Sequence, residues 1–267
     1  MYLIYESSIV ITHNAGFFSC CSVKLHSIVE YINLNKKLPI LVDSSSQFDW
    51  YKINKTGDIT FDYFKQSDNF DNLEFNNDLN INYNHEHQFL NYSDLDYKNI
   101  CPIVQKYFSP SDDINHIIIN IEQKYNLDYN NICVLFYRGN DKNRETQICG
   151  YHDYITYANL IISKNPNVKF LIQSDETEFI EFITNSFPNN SFYFKDEIRH
   201  MNKCDNTVDL VLRDTSYIFS KYYLAITIIM SRCKYIICGS GNCSIWIMFY
   251  RGNNENVYQN LNNIWLK

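Results

Sequence analysis

Charged side chains gather directly after an apolar run in the middle of the chain. The run VLFY predicts a buried strand, and the segment RGNDKNRE follows it at 138–145. Arginine can hold a phosphate through two parallel N–H donors, and lysine attracts it as a compact point charge. Arg138 and Lys142 are therefore candidate anion ligands, with the carboxylates of Asp141 and Glu145 beside them.

Two further polar clusters follow predicted strands, QSDE at 173–176 and GSGNCS at 239–244. Because the carboxyl ends of parallel strands share one edge of a sheet, we expect all three clusters to converge. The backbone amides of residues 239–241 precede a helix, which is an arrangement that binds anions. Asp175 can accept hydrogen bonds from a nucleobase or from ribose hydroxyls. Together the clusters predict a site for a nucleotide diphosphate without a bound metal.

The second half of the chain alternates between strand and helix, which predicts a parallel α/β sheet. Apolar runs predict strands over 132–137, 168–172, 191–194 and 234–238. Helical spacing of apolar residues predicts helices over 151–164, 176–186, 207–231 and 244–250.

The first half opens as a βαβ unit, with a strand at 7–12, a helix at 20–36 and a strand at 38–43. The second strand is continuously apolar, which is typical of a parallel strand covered on both faces. Residues 101–126 predict one or two helices, and Ser111 is a suitable N-cap within them.

These patterns predict an α/β fold with two Rossmann-like domains facing across a cleft. We place the N-terminal domain at 1–128, with an irregular insertion rich in Asn, Asp and aromatic residues at 50–100. The C-terminal domain is expected at 129–267, because the strand and helix pattern restarts after residues 125–131.

The composition of the 267 residues excludes several classes of protein. A net charge of −7 argues against nucleic-acid binding, which requires a basic surface. The apolar run LAITIIMSRCKYIIC is interrupted by Arg232 and Lys234, and the N-terminus lacks the pattern of a signal peptide, so we expect no membrane association. The nine scattered cysteines predict reduced thiols in a cytoplasmic protein. The excess of asparagine and tyrosine is typical of an A+T-rich genome, such as that of a large DNA virus, in which case the host cytoplasm is the expected location.

The order RGNDK, LIQSDE and SRCKYIICGSGNCSIW resembles the donor-binding domain of the GT-B fucosyltransferases. This superfamily includes the α1,6- and α1,2-fucosyltransferases, the nodulation-factor fucosyltransferases and the protein O-fucosyltransferases. The resemblance covers about 130–250, is weak over 1–45 and is absent between them. It implies a GT-B fold, a nucleotide-sugar donor and no metal cofactor, with residues 1–128 on the acceptor side.

The first family motif, His-x-Arg-Arg-x-Asp with a following Lys, falls on the segment after the central strand. Arg138 matches the arginine that holds the leaving β-phosphate, and Asp141 and Lys142 also match. Phe136 and Gly139 replace the histidine and the second arginine of the motif, which leaves the guanine and fucose specificity open.

The second and third motifs supply further substrate-binding candidates. The resemblance places Asp175 on the nucleoside, and Ser240 and Ser244 beside the phosphates. Gly241 and Asn242 belong to the same glycine-rich segment as these serines.

The N-terminal loop resembles the glycine-rich loop with which the family approaches the donor phosphates across the cleft. Its candidates are Asn14, Gly16 and Phe17. His200, with Arg199 before it, follows a strand of the donor domain and is a candidate for contact with the base or the sugar.

The implied reaction is an inverting transfer of fucose from GDP-fucose to a hydroxyl of a glycan or protein. An inverting transfer needs a base for the acceptor hydroxyl, and Glu145 is our candidate, one residue closer to the lysine than in some relatives. Two alternatives stay open: a transferase that uses another nucleotide sugar, and a catalytically inactive relative that binds a nucleotide or glycan.

Structural alternatives also stay open for the individual residues. Arg138 could pair with Asp141 or Asp175, Asp175 could cap the following helix, and Glu145 could be a solvated loop residue. The patterns His-Glu-His at 85–87 and Asp-Leu-Asp at 94–96 have metal-ligand character, but neither follows a strand, so we expect no metal site.

Overall fold

The structure is a computed structural model that describes residues 2–4, 8–66 and 75–267. Its strands are β1 (Tyr2–Ile4), β2 (Ser8–Ile11), β3 (Leu41–Asp43), β4 (Phe64–Lys65), β5 (Ser109–Pro110), β6 (Ile132–Tyr137), β7 (Lys169–Ser174), β8 (Ser191–Phe192), β9 (Tyr235–Gly239), β10 (Val257–Leu261) and β11 (Ile264–Leu266). Its α-helices are α1 (Phe17–Asn35), α2 (Thr60–Tyr63), α3 (Tyr97–Tyr107), α4 (Asp112–Tyr125), α5 (Tyr151–Lys164), α6 (Thr177–Ser186), α7 (Val208–Val211), α8 (Ser216–Arg232) and α9 (Asn242–Arg251).

A six-stranded sheet in the order β11-β10-β9-β6-β7-β8 organises the second half of the chain. Strands β6 to β10 are parallel, and β11 pairs antiparallel with β10. All six residues of β6 are buried because it lies inside the sheet, which explains the continuous apolar run. The predicted bounds of β6 and α5 are confirmed, and the carboxyl ends of β9, β6 and β7 lie side by side.

The hairpin of β10 and β11 was missed by the sequence prediction, which ended with the helix before it. Asn262 and Asn263 form its two-residue turn, with φ angles of 50° and 62°. Two asparagines between apolar runs were the available signal, because asparagine tolerates positive φ and favours such turns.

A smaller sheet in the order β1-β2-β3 begins the chain, and β2 and β3 are parallel with α1 between them. The predicted βαβ unit is therefore confirmed. The expectation that its second strand is covered on both faces is wrong. β3 is an edge strand, and Leu41 is 56% exposed.

The two halves share one hydrophobic core rather than touching at a few points. Helices α1 and α3 pack on α9, and α4 packs on α8. The Trp246 indole N–H donates to Ser22 Oγ at 2.9 Å, and the Tyr51 hydroxyl donates to Asp209 Oδ2 at 2.7 Å. The predicted boundary at 128/129 falls at the short 3-10 helix Tyr129–Asn131, and the division into two domains stays a prediction.

The predicted irregular insertion contains the 3-10 helices Asp49–Tyr51, His85–Phe89 and Tyr92–Asp94, besides α2. Ser111 caps α4 as predicted, accepting from the Ile114 N–H. Residue 7 of the first predicted strand and residues 67–74 of the insertion lie outside the described residues. Over the stretches that the structure covers, no helix has the length and apolarity needed to cross a bilayer.

All nine cysteines are free thiols, as predicted, and seven of them are buried. Burial raises the pKa of Cys20 and Cys243 to about 11 and that of Cys238 to about 12, from an ordinary value of 9.0. A thiol that stays protonated in the folded state contributes stability that is complete below pH 9 and is lost as the pH rises towards 11.

We therefore expect the free energy of unfolding to fall between pH 9 and 11, by up to about 1.4 kcal/mol per pH unit for each buried thiol. Urea unfolding at several pH values measures this slope. Cys238→Ala should make the slope shallower, because it removes one of these buried thiols. An equal slope in the wild type and Cys238→Ala would contradict the assignment.

Candidate functional site

A cavity of about 440 Å³ lies at the carboxyl edge of the large sheet, between the ends of β6, β9 and β10 and the N-terminus of α1. This volume is within the range of small-molecule sites. It brings together ten of the predicted site residues: Gly16, Phe17, Arg138, Asp141, Lys142, Glu145, Ser240, Gly241, Asn242 and Ser244. Asn14, Asp175 and His200 do not line it.

Asp175 holds the first polar loop, and together with Arg138 it lines a second, smaller pocket beside the cavity. Its Oδ2 accepts from Arg138 Nε at 2.8 Å, and its Oδ1 accepts from the Gly139 N–H at 3.0 Å. The side chain is buried, and it makes no capping bond to α6, so the N-cap alternative is wrong. Pairing between Arg138 and Asp175, the other structural alternative, is what the structure shows.

Arg138 has a second carboxylate partner, because Nη2 donates to Asp141 Oδ1 at 3.0 Å. Burial works against the charge, but Asp175, Tyr223 and Asp141 more than offset it and raise the pKa of the guanidinium above its ordinary value. These two bonds use two of the five N–H donors, and the side chain still lines the cavity. The pairs fix the direction of Arg138 and leave it donors for a ligand.

Glu176 is a buried residue that was not among the site residues predicted from the sequence. Its Oε1 accepts from the Asn140 N–H at 2.7 Å, and its Oε2 accepts from the Tyr151 hydroxyl. A Cβ atom at Gly139 would lie 1.9 Å from Glu176 Oε1, which leaves no room for any side chain. The carboxylate of Glu176 therefore accounts for the glycine in place of the second arginine of the family motif.

Lys142 joins the first polar cluster to the third. Its ammonium group pairs with Glu145 and lies 5.1 Å from the centre of the Phe89 ring. A Cβ atom at Gly241 would lie 3.2 Å from Lys142 Nζ, and Gly241 has a φ of +158°, so glycine is required there. Glu145 is exposed at the cavity and pairs with Lys142, so its role as a base and its role as a solvated loop residue both stay open.

Backbone N–H groups of the glycine-rich segment 239–244 are bonded to other parts of the protein, which we did not expect. The Ser240 N–H donates to Asn260 O at 2.8 Å, and the Gly241 N–H donates to the Tyr92 hydroxyl at 3.2 Å. The expectation that these two amides face an anion is therefore wrong. The first N–H groups of a helix have no partner inside the helix, so the available amides are those of the next three residues, 242–244.

The serine hydroxyls of this cluster are also used. Ser240 Oγ donates to Asn260 O at 2.8 Å, and Ser244 Oγ donates to Gly239 O at 2.5 Å. Their protons hold the loop, and contact of these two serines with the phosphates stays a prediction. In contrast, Asn242 Oδ1 is buried without a hydrogen-bond partner, which is costly unless a ligand supplies one.

The opposite wall of the cavity is the N-terminus of α1. Gly16 is its N-cap, and Phe17 packs into an aromatic cluster with Phe48 and Tyr63 while also lining the cavity. Two helix N-termini, those of α1 and α9, therefore line the same space. Both present positive ends of helix dipoles, which favours an anion between them.

The two remaining candidates have local partners instead. The side chain of Asn14 holds Asp49, accepting from its N–H at 3.0 Å and donating to its Oδ2 at 3.1 Å. His200 Nδ1 is bonded to Thr177 Oγ1 at 2.8 Å, at the start of α6. Their substrate-binding roles stay predictions.

The two sequence patterns of metal-ligand type form other contacts. His85 lies against His26, with 2.9 Å between their Nδ1 atoms, and it pairs with Glu86. Asp96 caps α3 by accepting from the Asn99 N–H at 3.3 Å. Among the residues that the structure covers, no three His, Cys, Asp or Glu side chains are grouped as a metal site.

No protein-family model and no curated protein matches this sequence. The fold and the position of the cavity nevertheless define a class, because the chain has the GT-B fold predicted from its motifs. It is similar to the NodZ α-1,6-fucosyltransferase soaked with GDP-fucose, at 12% identity over 98% of this chain and 99% of that chain, with a TM-score of 0.58. The same enzyme co-crystallised with GDP matches at 13% identity over 91% and 92% of the chains, with a TM-score of 0.52. A third structure, of NodZ from Bradyrhizobium, gives a TM-score of 0.50 at 12% identity over 91% and 92% of the chains.

Proposed function

We propose that this protein is an inverting, metal-independent glycosyltransferase that transfers fucose from GDP-fucose to a hydroxyl of a glycan or protein in the cytoplasm. The observation that carries the proposal is the convergence of Arg138, Lys142 and the N-terminus of α9 on one wall of a cavity, facing the N-terminus of α1. Crystals of the NodZ enzyme with the same fold were prepared with GDP-fucose or GDP, which supports this donor.

Arg138 and Lys142 act on the leaving group. When the bond between the sugar C1 and the β-phosphate oxygen breaks, its electron pair stays on the diphosphate, and negative charge accumulates there. Preorganised donors stabilise such charge without reorganising solvent. Arg138 is already oriented by its two carboxylate partners, and Lys142 exchanges Glu145 for the phosphate when the donor binds. These cations supply the positive charge that a metal would otherwise provide.

Glu145 acts on the acceptor. It is three residues beyond Lys142 and lies at the same cavity, so release from the lysine places a free carboxylate near the reacting centre. The acceptor hydroxyl oxygen attacks C1, its proton passes to Glu145, and GDP leaves with the electron pair of the broken bond. This sequence inverts the configuration at C1 and needs no further reactant.

The same mechanism with another nucleotide sugar is a second candidate, and one observation favours it. Because Glu176 occupies the space beside Gly139, this chain cannot place the second arginine that the family motif carries. Donor recognition must therefore differ in detail from the pattern that the fucosyltransferase motif implies.

We expect GDP to stabilise the protein against thermal unfolding more than UDP or ADP does, with EDTA present throughout. Glu145→Gln should still bind GDP but lower GDP release from GDP-fucose about 100-fold or more when an acceptor is supplied, because it removes the base. Glu181→Gln, an exposed residue of α6, is the matched control and should be unaffected.

Three outcomes would revise the proposal. Preferential stabilisation by UDP points to another nucleotide sugar. If none of the nucleotides stabilises the protein, the catalytically inactive alternative is favoured. Unchanged turnover in Glu145→Gln removes that residue from the mechanism while leaving the donor assignment intact.

A further inference from the structure

Three histidine side chains meet where the 3-10 helix His85–Phe89 packs against α1. His26 of α1 and His85 stack with 5.1 Å between their ring centres, and their Nδ1 atoms are 2.9 Å apart. Burial lowers the pKa of His26, and the neighbouring charges of His85 and His87 lower it further. None of these three rings lines the cavity, so the cluster is distinct from the site described above.

The two facing nitrogen atoms of His26 and His85 can share only one proton. An Nδ1–Nδ1 distance of 2.9 Å is that of a hydrogen bond, in which one ring donates and the other accepts through an unprotonated nitrogen. When both rings are imidazolium ions, both nitrogens are donors, and the contact becomes a repulsion between two cations. The pair therefore persists with one positive charge but not with two.

Each ring of the pair turns its other nitrogen toward a carboxylate. His85 Nε2 lies 3.1 Å from Glu86 Oε1, and His26 Nε2 lies 3.7 Å from Glu30 Oε2. The side chains of Glu86 and Glu30 are 63% and 40% exposed, so solvent screens their charge. The carboxylates favour the first proton on the pair, but they cannot remove the conflict between the facing nitrogens that the second proton creates.

His87 also resists protonation while the 3-10 helix stays packed. Its Nδ1 is buried without a hydrogen-bond partner, and its ring meets that of Tyr83 edge-on, with 5.6 Å between the ring centres. Burial lowers the pKa of His87 for this reason. A positive charge at this position would be both desolvated and unpaired, so the packed arrangement favours the neutral ring.

The other charged groups nearby do not relieve the conflict. The pKa of His13, on the loop before α1, is itself lowered by burial and by surrounding positive charge that includes His85. Helix α9 also packs on the 3-10 helix, and its one charged residue, Arg251, donates to backbone carbonyl groups. Helix α1 carries one further cation, Lys24. Glu30 and Glu86 are therefore the acidic groups of these elements that face the histidines.

The 3-10 helix that the histidines hold is also a wall of the cavity. It contributes Glu86, Gln88 and Phe89 to the lining. The Phe89 ring lies 5.1 Å from Lys142 Nζ, so this wall stands directly beside the cation of the first polar cluster. Movement of His85 away from α1 would therefore open the cavity next to Lys142.

We infer that the His26–His85 pair is a pH-sensitive clasp: it holds the 3-10 helix His85–Phe89 against α1 at neutral pH and releases this cavity wall when acid protonates both rings. The clasp concerns the wall itself and does not depend on which ligand the cavity takes. Because the pKa values of His26 and His87 are lowered from the ordinary 6.5, the folded state favours their neutral forms. The stability that the cluster contributes is therefore complete above pH 6.5 and is lost as the pH falls below it.

Amide hydrogen exchange of the full chain at about pH 7.5 and about pH 5, corrected for the intrinsic exchange rate, tests the clasp. The His87 N–H donates to Asn84 O at 2.9 Å, and the Leu90 N–H donates to His87 O at 3.0 Å. Protection of these two amides should fall about tenfold or more in acid. The amides of β6, inside the large sheet, should keep their protection.

His26→Asn is the decisive variant, because an amide can still bond to His85 Nδ1 but takes no charge. Its protection at 87 and 90 should fall less than about threefold in acid, since of the three rings only His85, now without a facing cation, and His87 still titrate. His116→Asn, at an exposed position of α4, is the matched control and should lose protection as the wild type does.

Two results would overturn the clasp. One is unchanged protection of the wild type at 87 and 90 between the two pH values, and the other is a loss in His26→Asn as large as that in the wild type. If circular dichroism shows that His26→Asn is not folded, His85→Asn makes the same test from the other side of the pair. The exchange measurement needs no ligand, so its outcome is independent of the proposed function.

Discussion

Replacing Arg138 by alanine is expected to lower sugar transfer about 100- to 1000-fold. One preorganised donor at a developing negative charge is worth about 2.7–4 kcal/mol of transition-state stabilisation. In the proposed mechanism Arg138 is such a donor, because Asp175 and Asp141 set its direction before any ligand arrives. The initial rate of GDP release at saturating GDP-fucose and acceptor measures the effect on the chemical step.

The same substitution also removes a partner from the buried carboxylate of Asp175. The Gly139 N–H still donates to Asp175, so we expect a loss of stability of about 1–3 kcal/mol and a protein that remains folded. Asp141→Asn separates the two effects, because it removes one ion pair and retains the guanidinium; its rate should stay within about tenfold of the wild type. If folded Arg138→Ala keeps more than about a tenth of the activity, Arg138 has no role in the mechanism.

Replacing Gly139 by alanine is expected to destabilise the fold by about 3 kcal/mol. The added Cβ atom would overlap Glu176 Oε1, and neither group can move freely, because the carboxylate also binds the Asn140 N–H and the Tyr151 hydroxyl. Overpacking of a buried site typically costs about 1–3 kcal/mol, and a displaced buried carboxylate adds to it. Urea unfolding followed by circular dichroism gives the change directly.

A double-mutant cycle tests whether overlap with Glu176 causes the loss of stability in Gly139→Ala. Glu176→Ala alone leaves a backbone N–H and a hydroxyl unpaired and should itself be destabilising. The double variant Gly139→Ala/Glu176→Ala should lose less free energy of unfolding than the two single variants lose together. The difference should be at least about 1 kcal/mol, because the double variant has no overlap between the two side chains. Gly150→Ala, where a Cβ atom would meet only Asp153 Oδ2 at 3.6 Å, is the control and should cost less than about 1 kcal/mol. Strict additivity would show that Glu176 is not the obstacle.

The parts of the fold that the sequence predicts well are those governed by local pattern. The uninterrupted apolar run of β6 and the helical spacing of α5 fix both elements at their observed bounds. The convergence of the three polar clusters follows from the parallel order of β9, β6 and β7, which alternation of strand and helix already implies. These conclusions do not require knowing which residues contact each other in the folded protein.

The details of the site depend on contacts between residues far apart in the chain, and no local pattern encodes them. The Gly241 amide is taken by Tyr92, 149 residues away, from a segment that looked irregular. The pairing of Asp175 with Arg138 and the Gly139 N–H could be recognised only once the partner of each carboxylate oxygen was seen, and the contact of Asp175 with the nucleoside stays a prediction. Neither Gly139 nor Glu176 stands out in the sequence. Only their proximity in the structure shows that the carboxylate of Glu176 excludes a side chain at 139.

The bond from the Gly241 amide to Tyr92 has a consequence for engineering. The Tyr92 N–H also donates to Gln259 Oε1 at 2.8 Å, and Gln259 Nε2 donates to Leu90 O at 2.7 Å. A hybrid protein made by grafting residues 129–267 onto a foreign N-terminal half would lose these bonds and leave the glycine-rich turn unsupported. A graft made at the predicted boundary at 128/129 would therefore also have to include the segment around residues 90–92.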